Sequence, residues 1–257
     1  MAGGQYDRLL YYVIYKIGEK RMLIDLHGHS SGISRCCQIP APEVLKAAKD
    51  AGLDGIVLSN HYQKVYIPDG DCAAFAERYL EEYRYAEKCA KEIGCKVFFG
   101  IEVTMEKHNL AHLLVYGVDE EFVRKHPGLF EYTQEELYRL VKEAGGALVQ
   151  AHPFRGRDGL LDTHFLDGVE ASCHPLYEGT FLERVTEVAH NAGIILTCGG
   201  DYHADTYRPH CGVYLPDSIE NGKELAEFLC KTDEIKLCIH EVGESLSHDV
   251  IFQREKS

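Results

Sequence analysis

The sequence lacks the features that mark several large classes of protein. Its ten cysteines contain no CxxC pair, which argues against a regular disulfide framework and favours reduced thiols in a cytoplasmic protein. Basic residues are scarce, because Lys and Arg total 27 against 41 Asp and Glu. The net charge of -14 argues against long nucleic acids and anionic membranes as partners, but leaves a small phosphorylated substrate open.

Long apolar runs and linkers are also missing. The segment 9–15 is too short to span a bilayer and lacks the cleavage site of a signal peptide. No Pro- or Ser-rich linker and no low-complexity tract divides the chain. Its hydrophobic content of 45% and charged content of 26% are those of a soluble globular protein. We therefore expect one domain over residues 22–257, preceded by an N-terminal extension over residues 1–21, and make no prediction of the oligomeric state.

What the sequence does contain is a regular alternation of short apolar runs and amphipathic stretches. This rhythm predicts repeated β-α units, and hence an α/β fold built on a mostly parallel sheet. A glycine follows four of the predicted helices, where a C-terminal cap is expected. The predicted strands are 22–26, 55–59, 96–101, 112–117, 147–151, 168–171 and 194–198. The predicted helices are 41–51, 72–93, 133–144 and 180–192, followed by a helix near 219–230 and a strand near 235–241.

Residue types that bind metals follow nearly every predicted strand. His27 and His29 flank one residue at the end of the first strand, so the alternation of side chains directs both to the same side. Each candidate alone would be an ordinary residue of a strand end, cap or turn. Together they mark the rim of a barrel rather than the single switch point of an open sheet. The other candidates are His61, Glu102, His112, His152, Asp201 and His203.

Six imidazoles and two carboxylates are too many for one ion and suit two or three divalent metal ions. We treat the remaining histidines as ordinary solvated residues, with one exception. His174 follows the sixth predicted strand and is expected at the same rim.

The ordered set of motifs resembles the PHP (polymerase and histidinol phosphatase) family of metal-dependent phosphoesterases. The resemblance covers about residues 22–212 and implies a distorted seven-stranded β/α barrel of the TIM-like type. It also implies a site with two or three ions, usually zinc, manganese or iron. The motifs are Asp-Leu-His-Gly-His-Ser at 25–30, Asn-His at 60–61, Gly-Ile-Glu at 100–102, His112, His-Pro-Phe-Arg at 152–155 and Gly-Asp-Tyr-His at 200–203.

By this resemblance, the candidates divide among three ions. The first ion would be bound by His27, His29, Glu102 and Asp201. The second would share Glu102 and add His112 and His152. The third would be bound by His61 and His203.

The chain departs from the family pattern at one point. Family members commonly supply a further Asp or His soon after the His-x-His pair, whereas this chain has Ser34 or Arg35 there. The third site would therefore be weak, be completed by phosphate and water, or be absent. Arg35 could bind the substrate or be an ordinary surface arginine.

The residues also suggest a mechanism. Two neighbouring ions can neutralise phosphoryl oxygens and provide a bridging hydroxide that attacks phosphorus in line. We expect Arg155 to hold the phosphate through two parallel hydrogen bonds, which a guanidinium can form. Asp201 would bind metal and could also steer a proton toward the leaving oxygen. Asp25 could orient a ligand histidine or cap a backbone group.

The prediction is a phosphoesterase that hydrolyses a phosphate ester of a small metabolite or nucleotide, similar to a histidinol phosphatase or a nucleotide phosphatase. Three alternatives stay open: an exonuclease-type phosphodiesterase, a deaminase or amidohydrolase, and a non-catalytic metal-binding regulatory module. The net charge argues against long nucleic acid substrates, and the near-complete ligand set argues against the non-catalytic module.

Overall fold

Eleven strands and six α-helices alternate along the part of the chain that the structure describes, residues 20–156, 159–204 and 208–255 of a computed structural model. The α/β class is confirmed. Residues 1–19 of the predicted N-terminal extension lie outside the described residues. The strands are β1 (Arg21–Gly28), β2 (Gly55–Leu58), β3 (His61–Tyr62), β4 (Lys96–Thr104), β5 (His112–Tyr116), β6 (Ala147–Gln150), β7 (Gly168–Ser172), β8 (Ile195–Gly199), β9 (Gly212–Pro216), β10 (Glu234–Ile239) and β11 (His248–Gln253).

The helices form where the sequence provides caps. The helices are α1 (Ala41–Asp50), α2 (Cys72–Ile93), α3 (Glu120–Lys125), α4 (Gln134–Glu143), α5 (Leu182–Ala192) and α6 (Gly222–Lys231). Asp71 accepts a hydrogen bond from the backbone at the start of α2, and Gly94 ends that helix with a φ of 72°. These caps satisfy backbone groups that the helix itself leaves unpaired. None of the helices in the described ranges has the length and apolar character that a membrane span requires.

The strands form one mixed sheet, which corrects the expectation of seven parallel strands. The order is β11-β10-β9-β1-β2-β4-β5-β6-β7-β8, with β3 paired to β4. β5 runs antiparallel to both of its neighbours, because residues 105–111, which join it to β4, are too few for a crossover helix. Strands β9 to β11 add an antiparallel extension beside β1, of which the sequence predicts only β10.

The sheet curls so that β8 returns to β1. Tyr202, just after β8, pairs with Gly28 in a parallel bridge. Gly199 permits this approach, since a Cβ atom there would lie 2.4 Å from the Cβ of His27. The result is a nearly closed, barrel-like sheet with a continuous apolar core. The described residues do not confirm the seven-stranded barrel of the prediction, because the strands are more numerous and their directions mixed.

The reversal at β5 explains the place of His112. Since β4 and β5 are antiparallel, the end of β4 and the start of β5 lie at the same edge, where Thr104 pairs with His112. His112, which begins β5, therefore lies near the residues at the ends of β1, β6 and β8. These strand ends form one rim, the position at which barrels carry their functional groups.

Candidate metal centre

All eight predicted metal ligands meet at this rim, around the carboxylate of Glu102. Glu102 lies in β4 and is fully buried. Its Oε1 atom is 2.7 Å from Nδ1 of His112, 3.1 Å from Nε2 of His152 and 3.3 Å from Nε2 of His27. A carboxylate that faces imidazoles from separate strands is well placed to bridge two metal ions.

The other oxygen of Glu102 faces two further imidazoles. Its Oε2 atom is 2.5 Å from Nδ1 of His61 and 3.5 Å from Nε2 of His29. The second carboxylate, Asp201, lies nearby, with Oδ1 at 2.9 Å from Nε2 of His29 and 3.4 Å from Nε2 of His27. Each carboxylate thus contacts more than one imidazole.

The donor atoms form overlapping groups. In each group the donors lie within 4.8 Å of one another, compared with about 3.5 Å between neighbouring donors around one tetrahedral ion. The first group matches the ligand set that the family resemblance implies for the first ion. The groups in the described residues of this centre are His27, His29, Glu102 and Asp201; His61, Glu102 and His112; His29, His61 and His203; and His174, Asp201 and His203.

The unpaired atoms of this cluster fit divalent metal ions. Within the described residues, Nε2 of His27 and Oε2 of Glu102 are buried and lie close to groups of opposite charge, but form no hydrogen bond of good geometry. A buried polar atom that forms no hydrogen bond costs about 1–3 kcal/mol, and a bound cation would remove that cost. Imidazole and carboxylate donors suit zinc, manganese and iron. The residues present therefore fit the ions that the resemblance implies.

The electrostatics of the two carboxylates also favours a cation. Burial by itself raises the pKa of Glu102, but His61 and His112 outweigh burial and hold the pKa well below its usual range. Burial opposes ionisation of Asp201 in the same way, and His27 leads the groups that hold its pKa well below the usual value. Both side chains are therefore ionised at neutral pH and can act as anionic ligands.

Two of the predicted ligands have backbone conformations that non-glycine residues rarely adopt. His152 has a φ of 29° and Asp201 a φ of 46°. Such residues cost about 1–3 kcal/mol each and cluster at functional sites, where the surroundings hold them in place. At His152 one such restraint is visible, because its backbone N–H donates to Oε2 of Glu170 at 3.0 Å.

Glu170 is a site residue that the sequence analysis missed. It is buried in β7, and Nδ1 of His27 donates to its Oε1 at 3.0 Å. A carboxylate in this position fixes the tautomer and orientation of the ring, so that Nε2 faces the centre. The available signal was a carboxylate within the otherwise uncharged strand Gly168–Ser172.

Ser34 and Arg35, where the family pattern has a further ligand, make other contacts. The hydroxyl of Ser34 lies 3.1 Å from Nδ1 of His29 and accepts the backbone N–H of His61 at 3.0 Å. The guanidinium of Arg35 lies 4.9 Å from the centre of the Tyr66 ring. Ser34 therefore contacts a predicted ligand, His29, and the substrate-binding role of Arg35 stays a prediction.

Asp25 connects the first ligand strand to the last. Its Oδ1 atom accepts the backbone N–H groups of His27 at 2.9 Å and Gly200 at 2.8 Å. Its Oδ2 atom lies 2.8 Å from Nη2 of Arg208. Of the two roles that the sequence suggests for Asp25, these contacts show the backbone cap directly.

A cavity of about 540 Å³ opens beside the ligands. Arg155 lies at its edge, with Nη1 at 3.8 Å from Oδ2 of Asp201. Its guanidinium donates to the hydroxyl of Tyr177, which in turn donates to Asp201. The His174 ring stacks on Tyr177 with centroids 4.2 Å apart. The structure thus places Arg155 and His174 at the predicted rim and adds Tyr177, which no sequence motif marks.

Cys36 also lines this cavity. Its thiol lies 3.9 Å from the hydroxyl of Tyr66. Burial opposes ionisation of the thiol, but the neighbouring imidazoles of His203 and His61 lower its pKa to about 6. Nothing in the sequence pattern singles out this cysteine.

No family model matches the sequence, and no curated protein is significantly similar to it. Solved structures share its fold. A two-domain protein from Bacteroides vulgatus, which contains a predicted PHP-like metal-dependent phosphoesterase, superposes with a TM-score of 0.62 at 11% identity, over 93% of this chain and 88% of that chain. A candidate metal-dependent phosphoesterase from Bifidobacterium adolescentis gives 0.52 at 17% identity, over 83% and 97%.

A third similar structure is an amidohydrolase from Chromobacterium violaceum with bound sulfate and no metal. Its TM-score is 0.53 at 17% identity, over 79% of this chain and 95% of that chain. At such identities the likeness concerns the fold. The chain therefore has the fold of proteins described as PHP-like metal-dependent phosphoesterases, in agreement with the family that its motifs resemble.

Proposed function

We propose that the protein is a metal-dependent phosphoesterase that hydrolyses a phosphate ester of a small metabolite or nucleotide. The observation that carries the proposal is the cluster of six imidazoles around Glu102 and Asp201, which opens into a cavity next to Arg155. Two or three divalent ions, zinc, manganese or iron, suit this donor set. When bound, such ions supply a water nucleophile at neutral pH and neutralise phosphoryl oxygens.

Arg155 and Tyr177 would position the substrate. A guanidinium binds two phosphoryl oxygens in parallel, and Arg155 lies close enough to Asp201 for a phosphate to contact both the arginine and the ligand cluster. Burial raises the pKa of Tyr177, so its hydroxyl stays protonated and keeps donating to Asp201. Tyr177 thereby orients both neighbours.

Asp201 would act as a ligand rather than as a proton donor. Its carboxyl has a pKa well below the usual value, so at neutral pH it carries no proton to give to a leaving group. This assigns a narrower role to Asp201 than the sequence motif alone suggests.

Structures of similar fold support the reaction class. Two of them are described as metal-dependent phosphoesterases. The amidohydrolase of similar fold holds sulfate, a tetrahedral oxyanion like phosphate. The cavity volume of about 540 Å³ falls in the range of about 300–1,000 Å³ that is typical of sites for small molecules.

The test uses purified protein, stripped of metal and reloaded with manganese or zinc. We expect hydrolysis of p-nitrophenyl phosphate, with bis-p-nitrophenyl phosphate as the diester comparison. His27→Ala and Asp201→Asn should each lower kcat/KM by more than about 100-fold, because each removes a metal ligand. His164→Ala is the matched control, since its side chain is 88% exposed. Undiminished hydrolysis in both ligand variants would contradict the proposal.

An amidohydrolase is the second candidate, because one structure of similar fold carries that name. The same preparations, assayed with an amide such as p-nitroacetanilide, separate the two reactions. We expect hydrolysis of the phosphate ester and not of the amide. Less than one metal ion per chain after reloading would instead favour the non-catalytic module.

A further inference from the structure

Three cysteines from separate parts of the chain bring their sulfur atoms together in the core: Cys173, Cys198 and Cys211. Each is at most 1% exposed, and the three Sγ atoms lie within 4.8 Å of one another. Sγ of Cys173 and Sγ of Cys198 are 3.5 Å apart. These sulfurs belong to none of the donor groups around Glu102, so the three-cysteine cluster is separate from the candidate metal centre.

The cluster lies at the seam where the curled sheet meets itself. Cys173 follows β7, Cys198 lies in β8 and Cys211 precedes β9. In the strand order β8 stands at one end, whereas β9 stands between β10 and β1. An atom bound to all three sulfurs would therefore join β8 to β9, which are not neighbours in that order.

The cluster also lies behind the candidate metal centre. A Cβ atom at Gly200 would lie 3.4 Å from Sγ of Cys211, so the sulfur packs against the backbone that leads to Asp201. A change in the cluster can therefore be separated from a change in the metal ligands themselves, because backbone stands between them.

The spacing of the sulfur atoms is close to that of a metal site. A single buried cysteine usually packs as a small apolar group, but these three sulfurs face one another. Around a tetrahedral zinc ion, with Zn–S bonds of about 2.3 Å, neighbouring sulfurs lie about 3.8 Å apart. The 3.5 Å between Cys173 and Cys198 is near this value. A disulfide would use only two of the three sulfurs, whereas one ion would use them all.

Polar backbone groups around the cluster can support a charged site. The N–H of His240 donates to Sγ of Cys173 at 3.3 Å, and such a hydrogen bond favours the thiolate form. The carbonyl oxygen of Cys238 lies 3.4 Å from Sγ of Cys198. This carbonyl can accept a hydrogen bond from a water molecule in the fourth position of zinc, the position that water takes when the protein supplies three ligands.

We propose that Cys173, Cys198 and Cys211 form a structural site for zinc, a thiophilic ion, which ties β7, β8 and β9 together. The site goes beyond the proposed function and does not depend on it. On binding, three S–H bonds break, the three protons pass to solvent, and three sulfur–zinc bonds form. The divalent ion cancels two of the three thiolate charges. Thiolate ligands select zinc over manganese, so manganese should not occupy this site.

Cobalt(II), a coloured substitute for zinc, tests the sulfur ligands without any assay of activity. Because the thiols are buried, the protein is produced in cells grown with cobalt and little zinc, so that the ion enters during folding. The purified protein should show a sulfur-to-cobalt charge-transfer band in the near ultraviolet. Cys198→Ala should abolish the band and lower bound cobalt by one ion per chain.

Three control variants separate this site from other cobalt sites. His27→Ala removes a predicted ligand of the candidate metal centre and should keep the band. Cys36→Ala removes the cysteine that lines the cavity and should keep it too. Cys89→Ala, which changes a half-buried cysteine of α2, is the matched control for Cys198→Ala and should leave both the band and the cobalt content unchanged.

X-ray absorption at the zinc edge gives a readout that needs no variant. Wild-type protein from cells grown with zinc should show a shell of sulfur atoms at about 2.3 Å from zinc. Nitrogen and oxygen ligands of the candidate metal centre would contribute a separate shell at about 2.0–2.2 Å. The sulfur shell therefore reports the three-cysteine cluster even if Cys198→Ala does not fold.

The outcomes separate this inference from the proposed function. A band that persists in Cys198→Ala, a band lost in Cys36→Ala, or zinc-loaded protein without a sulfur shell would overturn the three-cysteine site. A disulfide between Cys173 and Cys198, found by mass spectrometry of the purified protein, would do the same. Each of these results would leave the phosphoesterase proposal standing, because that proposal rests on the cluster around Glu102.

Discussion

Glu170 carries the clearest prediction at the scale of single residues, because it touches the centre only through other groups. It accepts from Nδ1 of His27 and from the backbone N–H of His152. Glu170→Gln should weaken manganese affinity by about 10- to 100-fold, the usual cost of losing a group that orients a metal ligand. Titration of the metal-free protein with manganese, followed by electron paramagnetic resonance, measures the affinity.

The matched control for Glu170 is Glu183→Gln, an exposed glutamate near the start of α5. The manganese affinity of the Glu183→Gln protein should equal that of the wild type. A Glu170→Gln protein with unchanged manganese affinity would show that the His27 ring is held by its other neighbours.

His61 predicts the pH dependence of metal binding. Burial lowers the pKa of this imidazole, but Glu102 outweighs burial, and with Cys36 raises the pKa to about 10 in the metal-free protein. A raised pKa means that the ring is protonated below about pH 10, so a binding ion must displace that proton. Zinc affinity should therefore rise with pH up to about this value, with release of protons.

Calorimetric titration with zinc at about pH 8, in two buffers of different ionisation enthalpy, counts the protons released. His61→Asn should release about one proton fewer than the wild type, and the exposed-histidine control His164→Ala should match the wild type. Equal proton release in wild type and His61→Asn would contradict the assignment.

Residue types and their spacing were enough to predict the eight side chains that meet at the rim, because each is of a metal-binding type and lies beside a strand end. Their role as ligands stays a prediction. The groups that hold the ligands were not predictable in this way. Glu170 is 143 residues from His27 in sequence, and Tyr177 and Cys36 are of types that occur throughout the chain. Their roles follow from contacts that exist only after the sheet has curled.

At the scale of elements, the approach of β8 to β1 depends on Gly199. A Cβ atom there would lie 2.4 Å from Cβ of His27 and 2.6 Å from Oε1 of Glu170. Gly199→Ala should therefore destabilise the metal-free protein by about 1–3 kcal/mol, the typical cost of overpacking, and should also weaken zinc binding. Urea denaturation with and without zinc measures both effects.

Gly159→Ala is the control for this substitution, since an added Cβ atom there meets no atom within 4 Å. It should change neither stability nor zinc affinity. If Gly199→Ala were as stable as Gly159→Ala, the closure between β8 and β1 would be looser than the structure indicates.

The elements themselves were predicted better than their arrangement. Apolar runs and glycine caps located the seven predicted strands, because these signals are local in the chain. The direction of β5 was not predicted, since it depends on the short connection 105–111 and on pairing with β6. β3, with two residues, is too short for any periodicity to mark.

At the scale of the whole molecule, the protein carries a net charge of -14. Its candidate site is a small cavity of about 540 Å³. The field of this net charge repels long polyanions, whereas bound metal ions reverse the sign of the charge inside the cavity. The metal-loaded protein should thus hydrolyse small phosphate monoesters at least about tenfold faster than it degrades single-stranded oligonucleotides. A panel of phosphorylated metabolites, run beside an oligonucleotide at equal phosphate concentration, gives the comparison. Faster degradation of the oligonucleotide would favour the exonuclease-type alternative.

The cluster around Glu102 should hold more than one metal ion. Anomalous diffraction from crystals of the zinc-loaded protein, recorded on both sides of the zinc absorption edge, would locate the ions. We predict at least two peaks in the cluster, one of them about 2.0–2.2 Å from donor atoms of His27, His29 and Asp201, with Glu102 between the two ions. A single peak that does not touch Glu102, or no peak among these residues, would contradict the account.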